Sequence, residues 1–177
     1  RLFLSLLNGL REVHTHKLLH LDIKPANIYV TMDATPVLLD FGSARMTLNQ
    51  DRPQLVPMYT KGFAAPEQYR GMTDLGPWTD IYSVGATMYA SLSGTPPQGA
   101  DMREKEDQLK PAVEAWRGKF SLQLLSTIDQ CLQLNPLDRP QSVFALQKAL
   151  LEQGAEVPER PSILNSLRRG FGRLGGR

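Results

Sequence analysis

The sequence predicts a mainly α fold with one small β hairpin, on three observations. Apolar residues recur at three- and four-residue spacing in several separate segments, the pattern of helices with one buried face. Two short apolar runs, Ile28-Tyr-Val30 and Val37-Leu-Leu39, read as strands joined by a turn-like set from Met32 to Pro36. Residues 43–77 carry Gly, Pro, Asn, Asp and Gln with no sustained period, which predicts a long loop of functional type.

Taken in order, Leu2, Phe3, Leu6, Leu7, Leu10 and Val13 predict an amphipathic helix through about residue 16. The hairpin follows. Helical patterning returns over residues 79–92, with Thr79 or Asp80 as its cap and Gly94 before Pro96-Pro97 as its stop. The charged stretch 101–110 predicts a short solvated helix or loop. Residues 121–132 predict a further helix with Leu122, Leu125, Ile128 and Leu132 on one face. Residues 140–153 predict the last, with Val143, Leu146, Leu150 and Leu151 inward. No internal repeat is present. After Gly154 the composition shifts to Pro, Ser, Arg and Gly. The expected organisation is one domain over residues 1–152 and a linker or tail over 153–177.

Composition narrows the class. With 177 residues, 41% hydrophobic and 21% charged, the chain resembles an ordinary globular domain. Such a length buries roughly 70% of the unfolded surface. Twenty Lys and Arg against eighteen Asp and Glu give +2, which does not suggest a nucleic acid held by phosphate neutralisation. Cys131 is the single cysteine, so an internal disulfide and a Cys-cluster zinc site are excluded. Its place on a helical apolar face predicts a small buried hydrophobe. No apolar run approaches the ~18 residues that span a bilayer. The first ten residues are too soon broken for a signal peptide, and a cytoplasmic location is expected. The chain begins without Met, so processing or truncation is expected too.

Chemistry concentrates in residues 20–27, His20-Leu-Asp22-Ile-Lys24-Pro-Ala-Asn27. An acid, a cation and an amide lie within six residues, and Pro25 stiffens the segment. Thirteen residues after Asn27 comes Asp40-Phe41-Gly42, which the hairpin would return to the side of Asn27. Hard oxygens of this kind suit Mg²⁺, which keeps several waters and leans on one or two carboxylates plus substrate phosphates.

These residues resemble the eukaryotic-type protein kinase family, most closely its bacterial Ser/Thr branch. The Asp and Asn five apart, then Asp-Phe-Gly, match the catalytic-loop and metal-loop signatures. Ala65-Pro66-Glu67 matches the family's Ala-Pro-Glu. Thr60 stands seven residues before Glu67, where the family places a Thr near the substrate. Asp80-Ile-Tyr-Ser-Val-Gly85 and Arg139 match later motifs. The resemblance covers about residues 1–152 and implies the C-terminal lobe of a kinase.

The resemblance also implies roles. Asp22 would accept or orient the proton of a protein Ser/Thr hydroxyl, and Lys24 would neutralise charge on the phosphoryl group moving from ATP. Asn27 and Asp40 would hold Mg²⁺. Glu67 and Arg139 would form a buried ion pair. Asp80 would accept hydrogen bonds from the catalytic-loop backbone, and His20 would pack beneath it, with Phe41 and Gly42 in support. The expected partner is a protein substrate.

Two departures from the family pattern stand out. Leu21 replaces an Arg that normally meets an activation-loop phosphate, so activity is expected not to depend strictly on loop phosphorylation, Thr47 included. No Gly-x-Gly-x-x-Gly, strand Lys or helix Glu of an N-terminal lobe is present in the 177 residues. The expectation is a fragment, weak in ATP binding until an N-lobe is supplied in cis.

Blander readings compete. His14, His16 and His20 could suggest a metal, but no third ligand is apparent. Trp78 and Trp116 read as packing residues. Ile163, Leu164, Leu167, Phe171 and Leu174, interleaved with Arg, could make a weak contact with an anionic membrane, but the late glycines favour a linker. The rival functions are a non-catalytic kinase-like scaffold module and a small-molecule phosphotransferase of the aminoglycoside-kinase type. The second resembles the Asp…Asn…Asp core but lacks Ala-Pro-Glu and the late Arg.

Overall fold

A computed structural model describes residues 1–46 and 59–152. Helix α1 (Leu2–Thr15) buries Leu6, Leu7 and Leu10, as its periodicity predicts. Strand β1 (Leu18–Leu19) pairs antiparallel with β4 (Arg45–Met46). Strands β2 (Ile28–Val30) and β3 (Pro36–Leu38) form the expected hairpin, with Ile28 opposite Leu38 and Val30 opposite Pro36. Pro36 therefore opens β3 instead of closing the turn. A Pro at the first residue of a strand costs the ladder little.

The remaining helices are α2 (Pro66–Tyr69), α3 (Pro77–Ser93), α4 (Ala100–Arg103), α5 (Ala112–Ala115), α6 (Leu122–Cys131) and α7 (Val143–Leu151). Helix α3 is the axis of the core. Every residue from Thr79 to Ala90 is buried, so it is apolar or hydrogen-bonded all round. It packs against α6 closely enough that a Cβ on Gly85 would lie 2.4 Å from Cys131 Cβ. Cys131 is itself fully buried, and that burial pushes its thiol up to about 12. Gly94 ends α3 in the left-handed region at φ +79°, where glycine carries no Cβ penalty.

Several boundaries differ from expectation. Helix α3 starts two residues earlier, with Gly76 before Pro77. Thr79 does not cap it by sequence position but reaches back to accept from the Gly76 amide at 3.2 Å. Helix α7 starts at Val143, because Ser142 caps it by accepting from Ala145 N at 3.1 Å. Leu122 and Leu151, expected inward, are 54% and 61% exposed; each is the terminal residue of its helix and lies past the core. The stretch 101–110 is not simply solvated. Arg103 is buried and donates to Tyr82 Oη, the Leu132 carbonyl and Asp107. The tail over 153–177 and Thr47 lie outside the described residues. Among those described, no helix is long and apolar enough to cross a membrane.

Candidate active site

The site forms where β1 runs into residues 20–27 and the hairpin brings residues 39–42 alongside. His20 is fully buried beneath it. Its Nδ1 accepts from Asp22 N at 3.3 Å, so its Nε2–H donates to the Leu39 carbonyl at 2.9 Å. The ring meets Phe41 edge-on at 4.8 Å. One buried imidazole thus ties the two chemical segments together.

Asp80, fully buried near the start of α3, fixes the entry to the loop. Its carboxylate accepts from His20 N at 2.9 Å, Leu21 N at 2.8 Å and His14 Nε2 at 2.8 Å. Leu21 is held in the left-handed region at φ +66°. A non-glycine residue there is uncommon and persists only when its surroundings enforce it.

Asp22 follows directly. Oδ1 accepts from Thr60 Oγ1 at 2.7 Å. Oδ2 accepts from Lys24 Nζ at 2.7 Å and Asn27 Nδ2 at 3.1 Å. Lys24 Nζ also donates to Thr60 Oγ1 at 2.7 Å, so Asp22, Lys24 and Thr60 close a ring. Thr60 is held by a turn in which its carbonyl accepts from Phe63 N and Ala64 N at 3.0 Å. Lys24 and Asp22 keep 23% and 12% side-chain exposure, so the ring is open to a ligand.

Asn27 spends its amide nitrogen on Asp22, donating to the Asp22 carbonyl at 2.8 Å as well. That leaves Oδ1 as the end able to ligate. The Asn27 carbonyl accepts from Leu39 N at 2.8 Å, which carries Asp40 to the same edge. Asp40 is exposed, at φ +59°, and its Oδ1 accepts from Gly42 N at 3.1 Å. Among the described residues no three His, Cys, Asp or Glu cluster as a metal cage. One amide oxygen and one open carboxylate fit a cation that takes its other ligands from phosphates and water, as Mg²⁺ does.

Below the site lies a second polar assembly. Arg139 Nη1 and Nη2 donate to Glu67 Oε1 and Oε2 at 2.8 and 3.1 Å. The same guanidinium donates to the carbonyls of Gln133, Leu134 and Trp78 and stacks over the Tyr82 ring at 4.9 Å. Thr79 Oγ1 donates to Glu67 Oε1 at 2.9 Å.

Every site residue named from the sequence lies in one of these two assemblies or directly against the first. Sequence reasoning missed His14, weighed only as a metal ligand, and Gln68 of α2, which is 1% exposed and donates to the Leu21 carbonyl. No local pattern marks either residue.

The family model for the protein kinase domain matches residues 1–151. Serine/threonine-protein kinase D of Synechocystis sp. is 31% identical over 162 residues, covering 86% of this chain and 31% of that protein. Serine/threonine-protein kinase PknB of Mycolicibacterium smegmatis is 28% identical over 167 residues, covering 88% and 26%. Among solved structures, the apo form of PpkA-294 is 38% identical with a TM-score of 0.70, covering 82% of this chain and 51% of that one. The chain spans about a quarter to a third of the length of these curated relatives.

Proposed function

The chain belongs to the protein kinase family, and on that premise we propose that it transfers the γ-phosphoryl group of Mg-ATP to Ser and Thr hydroxyls of a protein substrate. Residues 1–152 act as the C-terminal lobe of the catalytic domain, and 153–177 as a linker or tail. The observation that carries the reading is the Asp22 carboxylate. Both its oxygens are engaged by groups from separate motifs, Lys24, Asn27 and Thr60, while one face of the ring stays open.

Asp22 accepts or orients the substrate hydroxyl proton. Lys24 offsets charge on the moving phosphoryl group. Thr60 keeps both in register and faces the incoming substrate. Asn27 Oδ1 and Asp40 would hold Mg²⁺, which would offset the negative charge of the phosphates. Phosphoryl transfer asks chiefly for positioning and electrostatic stabilisation, which this set supplies from one side.

The other side calls for an N-lobe in cis. Tyr29, Val30, Val37, Leu39 and Phe41 leave between 41% and 56% of their surface exposed along the hairpin edge. Apolar residues gathered in this way suit a covering partner, and a lobe bearing the nucleotide roof is the partner this reading supplies. The site of action is the cytoplasm. A scaffold would have no use for Asp22, Lys24, Asn27 and Asp40 together, so the non-catalytic alternative has less support.

The test is phosphate transfer from Mg-ATP to Ser, Thr and Tyr peptides by the full-length protein, as wild type and Asp22→Asn. Transfer to Ser and Thr, lowered by about 10²–10⁴-fold in the variant, is expected for loss of the proton acceptor. Equal rates in both proteins would overturn the assignment.

A further inference from the structure

Gln68 has two hydrogen bonds that point in different directions. Its Oε1 accepts from Ala65 N at 3.0 Å, capping α2. Its Nε2 donates to the Leu21 carbonyl at 2.8 Å, 47 residues away in sequence. These partners fix the amide orientation. Turned over, it would set a donor against a donor and an acceptor against an acceptor. The side chain is 1% exposed, so neither partner has water as a ready substitute.

Leu21 is where such a tie matters. It sits in the left-handed region at φ +66° directly before Asp22. Its N–H is held by Asp80 Oδ1 at 2.8 Å, and its carbonyl by Gln68. Both ends of one strained residue are therefore clamped, from α3 on one side and α2 on the other. Leu21 also stands where the resemblance places an Arg that meets a loop phosphate. With an aliphatic side chain that is 1% exposed, it has no charge for a phosphate to meet.

We infer that Gln68 is a positioning residue that ties the segment after Thr60 to the catalytic loop, holding the Leu21–Asp22 peptide in its working geometry without a phosphate. The link is neutral and built into the fold. This inference rests on the kinase reading above for its consequence on rate, but the tie itself is a structural claim with its own readout.

The test compares full-length wild type with Gln68→Glu and Gln68→Leu. A carboxylate at 68 can still accept from Ala65 N, but it turns a lone pair on the Leu21 carbonyl. Its protonated form regains a donor. For Gln68→Glu we expect kcat to fall by roughly 10- to 100-fold at pH 8 with KM for ATP within about twofold, the scale of a misplaced catalytic group. The deficit relative to wild type should shrink as pH falls and the carboxyl takes up its proton. Amide hydrogen exchange should quicken over residues 19–24 in both variants, and over 63–68 in Gln68→Leu alone. Wild-type exchange over 19–24 in both variants would overturn the tie, as would acceleration confined to 63–68, the mark of a helix cap only. Wild-type protein that transfers no phosphate would overturn the kinase reading instead, while exchange over 19–24 still decides the tie.

Discussion

Two polar assemblies lie close together in this fold, and they are built on opposite plans. At Glu67–Arg139 all five guanidinium N–H groups have acceptors, both carboxylate oxygens are taken, and both residues are almost wholly buried. At Asp22–Lys24–Asn27–Asp40, Asp22 and Lys24 are partly exposed and Asp40 is exposed, while the Oδ1 of the buried Asn27 and the Asp40 carboxylate keep capacity to spare. A saturated cluster can only hold. A cluster with spare ligating capacity, propped by buried groups such as His20 and Asp80, can still bind something. The difference separates a filled polar cluster from one that can still take a ligand, without reference to sequence motifs.

The comparison breaks most visibly at Arg139. Arg139→Ala strands the Glu67 carboxylate in the core and should cost roughly 3–5 kcal/mol in urea unfolding. A loss under ~1 kcal/mol would mean that water reaches the pair. Asp40→Asn should do the reverse. We expect phosphate transfer to drop by ~10²-fold or more, as when one preorganised electrostatic group is lost. Stability should stay within about 0.5 kcal/mol, as for other exposed positions. A shifted unfolding midpoint with unchanged Mg²⁺ dependence would move Asp40 to the structural class.

Gly85→Ala probes the packing of α3 against α6. The added Cβ meets Cys131, and overpacking of this kind costs about 1–3 kcal/mol. The same contact predicts that Cys131 stays unmodified by thiol reagents in the folded protein. The smallest effect is on pH. Hydrogen bonds from Arg103 hold the Asp107 carboxyl below the usual Asp value. Its contribution is therefore present above the ordinary Asp pKa and is lost as pH falls through the lowered one. Asp107→Asn should flatten the acid limb of the stability curve below about pH 4. An unchanged acid limb would show that solvent screens the pair.

What was legible in the sequence follows the same division. Long helices and the hairpin announce themselves through period, because each buries one face against the core. Helices α2, α4 and α5 are four residues each, too short for a period to show. Arg103 reads as solvated because its partners, Tyr82 and Leu132, lie 21 and 29 residues away. The residues of the open cluster stand out in the sequence because they match a motif at fixed spacing, and the fold brings Asp22, Lys24, Asn27 and Thr60 together. Gln68 and His14 were not, since one amide and one imidazole carry no pattern until the fold sets them beside Leu21 and Asp80.

The most direct measurement takes Asp22→Asn through two assays on one full-length preparation, phosphate transfer to a Ser/Thr peptide and urea unfolding. The open-site account predicts a rate lower by about 10²–10⁴-fold and a stability change of no more than about 1 kcal/mol in either direction, since functional groups are seldom placed for stability. A variant that keeps its rate but loses several kcal/mol of stability would contradict it, and would make Asp22 one more structural carboxylate like Glu67.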